Sequence, residues 1–579
     1  AFFAGSRPRL NMQIDGRTSS YNELAFGTKS LWDMKQVEIY RGAQSYAQGR
    51  NAIAGAVVMT SNDPTQEWEG AAKLNMGNHR LAQTALISGP VVKDELAFRL
   101  SVDHQQRETA VDLPHYDPVG NPRWFKATNT RAKLLWTPSA LPDLYSRLTF
   151  NHLNARAPQS ETELQPNSPR YTPERPVFQT RSASTIWDIG YQLSEHWKWE
   201  NKLVYTHFIH DRKTTSPFNT ALPPNRRGVP ARVDGNEFQI EPIVKYETEK
   251  YRGLFGLFYF NAKQDESVTM LNGRIARTPI TTNFNDKTKT KAAFGEITFT
   301  PDIPFELTLS ARYEQEHHQR KGKSAMFSIN RDKKYNVFLP KADIAWKIND
   351  DQRLGFKVGK GYNPGGAGVT FGLPYTSYEY DAEYVWNYEL YHRWTSADKR
   401  LRINSNLFYN DYKDMQLPFT LGPNSIVIRN ADKVVTYGAE INTEWQATEK
   451  LVLNAGIGML KTDIKRYPNS GIEGNKLARA PSFSGKVGAN YRLLDHLEIG
   501  TNYSYNSSYY STADNLANGK VGHYDQLDVY LAYDFKHARI TLYADNVLNS
   551  RKDILLVPRS GDITRQPERQ IGLSTELRF

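Results

Sequence analysis

The chain has 579 residues, of which 39% are hydrophobic and 12% aromatic; it has no cysteine and a formal net charge of +11. A disulfide scaffold, a thiolate metal site and a cysteine nucleophile are excluded, and the aromatic content argues against a disordered chain. No apolar run approaches the roughly 18 residues of a membrane-crossing helix, and Lys and Arg are spread along the chain instead of gathered in the patch that a nucleic-acid partner requires.

Residues 1–65 hold short apolar pieces, Leu10–Ile14, Val37–Tyr40 and Ala52–Met59, separated by Gly-rich turns. They predict a small mixed domain lying inside a barrel. From residue 66 to 579 the text is strand, turn, strand. Twenty-two strands are predicted, the first near 67–76, the last at 569–579. In that last segment Ile571, Leu573, Thr575, Leu577 and Phe579 share one face, and Gln570, Gly572, Ser574, Glu576 and Arg578 share the other. Period-two alternation of this kind puts an apolar face in lipid and a polar face toward a lumen. Segment 401–410 repeats it, with Ile403, Leu407 and Tyr409 opposite Arg402, Asn404, Asn406 and Asn410.

A soluble sandwich or propeller also alternates, but a propeller repeats a blade motif, and many segments here reach the length of a lipid-crossing strand. An even strand number near 22 is the rule for wide outer-membrane barrels, which need a plug. The connections alternate in length. Tight ones, such as those at 349–351 and 495–496, are expected to face the periplasm. Long ones, such as 213–236, 265–287, 320–334, 363–380 and 414–434, are expected to face outside. The fold class is therefore all-β membrane: a 22-stranded antiparallel transmembrane β-barrel with a plug in its lumen.

The motifs add a resemblance. The run from Asp33 to Met59, with Tyr40-Arg41-Gly42 ending a strand and an apolar strand after Gly55, resembles the plug signature of the TonB-dependent outer-membrane receptors. Ile14-Asp15-Gly16 resembles the same family's upstream plug strand. Gly361-Tyr362-Asn363-Pro364-Gly365, Asn387-Tyr388-Glu389-Leu390, Asn430-Ala431-Asp432-Lys433, Tyr437-Gly438-Ala439-Glu440, Asp545-Asn546-Val547-Leu548-Asn549 and the final aromatic Phe579 also match. Each motif is weak alone; their order along the whole chain is specific. The haem branch's Phe-Arg-Ala-Pro and Asn-Pro-Asn/Asp-Leu runs do not occur, which favours the siderophore-receptor branch. The family's TonB-pairing box and first Arg-Gly motif are not found ahead of this signature, so residues 1–65 are expected to be the C-terminal part of an N-terminally truncated plug and 66–579 the barrel.

The resemblance implies that Arg41 pairs with Glu389 and Glu440 and locks plug to wall. It also implies that plug loops 2–9 and 18–30, carrying Phe3, Ser6, Arg7, Arg9, Tyr21 and Asn22, floor a ligand pocket. Arg supplies a fixed fork of donors and aromatics supply stacking faces, which suits an anionic iron chelate. Trp124, Arg226, Arg227, Tyr362, Tyr375, Tyr378 and Tyr380, in or beside long loops, are candidate walls of that pocket. His317 and His318 are adjacent, and His207 and His210 three apart, so each pair points to opposite faces of a strand and a shared metal is not expected. No catalytic set is recognisable.

The expected function is TonB-dependent, high-affinity uptake of a ferric siderophore in the outer membrane, with no covalently bound cofactor and an iron(III)-siderophore complex as ligand. Haem, cobalamin or oligosaccharide uptake shares the scaffold, and a passive porin is a further alternative that the plug signature opposes. The expected partners are the ferric siderophore, the TonB-ExbB-ExbD complex, and outer-membrane lipid and lipopolysaccharide, but no nucleic acid; the chain is expected to be a monomer.

Overall fold

A computed structural model describes residues 7–27, 30–165, 173–271, 278–422 and 425–579. Strands from Glu69–Gly77 to Gln570–Arg578 close into one antiparallel barrel of 22 strands. Closure joins the last strand to the first, with Thr575 opposite Leu74. The terminal Phe579 exchanges backbone hydrogen bonds with Gly70 at 3.0 and 3.2 Å. Its ring lies where a Cβ on residue 70 would stand, so glycine admits the aromatic terminus.

The alternation predicted for 569–579 is present. Ile571, Leu573 and Leu577 are exposed on the outer wall, while Gly572 and Ser574 are buried toward the lumen. Outward rings at Tyr388, Tyr409 and Tyr437 stand in one cross-strand row, as expected of a girdle at the lipid interface. His318 faces inward and meets Asp286 at 3.1 Å, whereas His317 faces outward and meets Asp332 at 2.6 Å.

Three of the predicted long loops are largely strand instead. The ladders run on to Met270 opposite Ile280, Lys323 opposite Ser328, and Gly422 opposite Ser425. Backbone pairing continues above the membrane because a hairpin in water needs no apolar face to satisfy its amides. The loop expected at 213–236 is likewise shortened, since Arg212 pairs with Ala231.

Residues 10–61 form a separate four-stranded mixed sheet in the order Arg17–Thr18, Leu10–Ile14, Gly55–Ser61, Met34–Arg41. Asp15 and Gly16 turn the first two strands through positive φ, 52° and 90°. The Asp15 carboxylate accepts from Ser61 N at 2.9 Å and Ser61 Oγ at 2.7 Å, and Lys202 of the wall donates to the Asp15 carbonyl at 2.7 Å. A Cβ at Gly16 would overlap that lysine, which explains the Asp-Gly pair. Asp33 meets Arg99, Asp63 meets both Lys133 (3.1 Å) and Arg147 (2.8 Å), and Arg41 meets Glu440. These partners sit on strands spread around the circumference, so the sheet lies within the lumen.

Candidate functional site

Beyond Arg17–Thr18 the chain reaches the outer ends of the wall strands, where Ser20 meets His210 at 3.4 Å. There Ser20 caps the short helix Tyr21–Phe26 through a reciprocal box with Glu23, and Glu23, fully buried, binds Arg17 at 2.8 Å. Phe26 stacks on Phe178 of the wall at 3.9 Å. A cavity of about 130 Å³ opens beside this helix. Arg7, Ser20, Tyr21, Asn22 and Arg50 line it from the sheet side, and His210, Glu237, Asp286, His318 and Tyr380 from the wall and loop side.

The loop from 364 to 382 covers the cavity. It folds into a hairpin, Gly366–Val369 paired with Ser377–Tyr380. Ala367 and Val369 sink into an apolar cluster with Phe178, Phe208, Phe284 and Phe327, and Tyr375 packs against it. Tyr378 stacks on Tyr380 at 6.3 Å. Burial pushes the Tyr380 hydroxyl up to about 12, so it stays a neutral donor at physiological pH.

The arginines divide into two kinds. Arg7 makes a two-pronged contact with Glu316 at 3.0 and 3.2 Å. Arg9 meets Glu383 at 2.8 Å, and Glu383, with no exposed surface, also accepts from Asn363 and the Gln416 amide. Burial by itself would lower both guanidinium pKa values, but Glu316 and Glu383 outweigh it and hold them above the ordinary value. Arg50 lies 3.9 Å over the Phe260 ring. It has no ion pair among the described residues, its Nε is buried without a hydrogen-bond partner, and burial pulls its pKa down.

Several expectations need correction. Arg7 and Arg9 fasten the sheet to the wall instead of offering free forks, because a buried guanidinium so close to a buried carboxylate pairs with it. Arg9 does not line the cavity. Nor do Trp124, Arg226 and Arg227. Arg226 is engaged by Glu174 (Nε to Oε2, 3.1 Å), Arg227 donates to the Leu222 carbonyl at 2.9 Å, and Lys126 sits 5.7 Å over the Trp124 ring. Tyr362 is buried against Tyr384 and does not line the cavity. Phe3 and Ser6 lie outside the described residues. In the lock, Arg41 pairs with Glu440 at 2.5 Å, but Glu389 pairs with Lys357 at 3.2 Å and accepts from Asn406. Lys357 faces Glu389 directly across the ladder and takes the place foreseen for Arg41. Gly438, beside Glu440, is required by close approach, since a Cβ there would collide with the Met459 carbonyl.

Arg50 was missed by reading the sequence, although it falls inside the plug signature; its one local signal was a cation at a tight turn, Gly49 having φ +73°.

Residues 125–549 match the protein family described as TonB dependent receptor-like, beta-barrel. The chain belongs to this family. Such receptors are proteins of the Gram-negative outer membrane, and that is where this receptor resides. Over 306 residues it is 22% identical to the pesticin receptor of Yersinia pestis, covering 50% of this chain and 44% of that one. It is 23% identical over 201 residues to the ferrioxamine B receptor of Salmonella typhimurium, covering 34% and 28%. The matched region thus spans less than half the length of these curated relatives. The fold agrees with the crystal structure of the ferric yersiniabactin uptake receptor from Yersinia pestis at a TM-score of 0.83 and 18% identity, over 99% of this chain and 89% of that chain.

Proposed function

We infer that this receptor takes up a ferric siderophore, binding it from outside and admitting it when TonB acts on the plug, of which residues 1–65 are the C-terminal part. The receptor performs no chemistry on the ligand. The relatives' names support the ligand class. The observation that carries the reading is Arg50, an aromatic-backed cation with no ion pair among the described residues, lining an outward cavity with Tyr21, Glu237 and Tyr380. A chelate with a carboxylate or phenolate arm would supply the missing partner.

The cavity, about 130 Å³, is smaller than the roughly 300–1,000 Å³ of a drug-sized site. It admits one anionic arm, and full seating requires the 366–380 hairpin to lift. The test is a growth-promotion panel of ferric chelates followed by direct titration of the active one. Arg50→Ala should weaken binding about tenfold or more, since a charged hydrogen bond contributes about 1.5–3 kcal/mol. If no ferric chelate binds the purified receptor, the siderophore reading fails; if one binds Arg50→Ala unchanged, the pocket is elsewhere.

A further inference from the structure

The cavity beside the helix Tyr21–Phe26 holds two opposite charges that stand apart. Arg7, Arg50, Glu237 and Asp286 line it from the inner face of the barrel. Arg7 is committed to Glu316, and Asp286 to Arg320 and His318. Arg50 and Glu237 have no ion pair among the described residues and attract each other only from beyond ion-pair distance. Glu237 sits on the strand Ala231–Glu247, level with Thr206 and Ala262 on either side. Arg50 is held in place at both ends. Its guanidinium lies 3.9 Å over the buried Phe260 ring, and its carbonyl accepts from Asn11 Nδ2 at 2.6 Å. Desolvation lowers the Arg50 pKa and raises that of Glu237, the direction taken by buried charges whose attraction does not offset burial.

The same cavity also holds acceptors without donors. Asn22 and His210 both line it and are 3% and 2% exposed. Asn22 Oδ1 and His210 Nδ1 are buried with no hydrogen-bond partner among the described residues. Burial pushes the His210 imidazole down to about 4, so it is neutral at physiological pH. With its Nε2 donating to Ser20 Oγ at 3.4 Å, Nδ1 is left as an acceptor. Buried acceptors of this kind are unfavourable until a donor reaches them. A phenolate or a plain carboxylate brings no donor.

We propose that the cavity recognises a zwitterionic α-amino-acid group carried by the chelator outside its iron-binding atoms, with the carboxylate on Arg50 and the ammonium on Glu237 and Asn22 Oδ1. The identity of the whole ligand as a ferric chelate rests on the uptake reading above; the head group rests on the cavity. Charge selects it, because Arg50 and Glu237 sum to zero. A purely anionic arm would meet the Glu237 carboxylate and leave Asn22 Oδ1 unpaired. Size selects it too. A cavity of about 130 Å³ is the room of about four waters at about 30 Å³ each, which suits one amino-acid head and no complete chelate.

The test titrates the purified full chain with three small probes, L-serine, N-acetyl-L-serine and L-serinamide, followed by saturation-transfer NMR. Serine carries both charges, N-acetylserine only the carboxylate and serinamide only the ammonium. Serine should bind about tenfold more tightly than either. Glu237→Gln should erase its advantage over N-acetylserine, and Arg50→Ala its advantage over serinamide. N-acetylserine or serinamide binding the unaltered protein as tightly as serine overturns the proposal, as does the absence of saturable serine binding. If a variant does not fold, the three-probe comparison on the unaltered chain decides. The two readings fail separately. Serine bound as expected, with every ferric chelate inactive, sinks the siderophore reading and leaves the amino-acid site standing. An active ferric chelate, with N-acetylserine matching serine, does the reverse.

Discussion

Burial acts differently on Arg7 and Arg50 because Arg7 is in direct contact with the Glu316 carboxylate, whereas Glu237 attracts Arg50 only from beyond ion-pair distance and does not offset its burial. The same contrast separates two of the glutamates that hold the sheet, Glu383 and Glu440. Glu383 is fully buried and serves Arg9, Asn363 and the Gln416 amide. Removing one member of such a buried network costs about 3–5 kcal/mol, because the other charge stays buried and unpaired. Glu440 meets an Arg41 whose side chain is 59% exposed, and a pair of that kind contributes about 0–1 kcal/mol. Glu383→Ala should therefore loosen the sheet and raise passive solute leak in a liposome-swelling assay far more than Glu440→Ala. Equal leak from the two variants would contradict the ranking. Arg50→Lys offers a finer check on the ligand arm: it keeps the charge and loses the planar stack on Phe260, so ligand affinity should fall between the unaltered protein and Arg50→Ala. Motif reading located Arg41 and Glu440, yet it could not tell Arg7 and Arg9 from free cations. Their partners lie more than 300 residues away in sequence, and no local pattern announces such a pair.

In the segment that joins the sheet to the barrel, Asp63 supplies the charged anchor beside hydrogen bonds from Asn62 to Asp33 and from Thr65 to Ser88. Asp63 is partly desolvated, but Lys133 and Arg147 outweigh this and hold its pKa below the ordinary carboxylate value. Because the folded value is depressed, the stabilisation is complete above the ordinary Asp value of about 4 and is lost as pH falls through the lower, folded value. Proteolysis of the linker near Asp63 should rise on acidification below about pH 4, and Asp63→Asn should show the raised rate already at neutral pH. A flat profile in the unaltered protein would show that the contact does not hold the linker. The covering hairpin is tied by apolar burial instead, with Ala367 fully buried. Ala367→Asp should place an unpaired charge there, expose the 364–382 loop to protease, and leave the barrel strands intact by circular dichroism. The barrel strands were legible as alternating segments, but their outer ends were not. Above the lipid both faces meet water or protein, so the alternation that marks a strand in hydrocarbon fades while the backbone ladder continues.

A closed sheet has no edge at which unfolding or aggregation can start. Unboiled receptor should therefore remain compact in SDS and migrate ahead of boiled receptor on a gel; identical migration would count against a closed barrel. At this scale the sequence by itself determined most of the outcome. Alternation every second residue, repeated along residues 66–579, sets the barrel class and the strand number, because lipid outside and water inside act on every strand alike. The ordered motifs placed the chain in its family. Only the tertiary structure decided which charges meet. The lumen brings residues hundreds of positions apart within 3 Å, and there burial makes pairing obligatory for Arg7, Arg9 and Glu389. It likewise decided that Arg50 stands over Phe260 with no ion pair among the described residues.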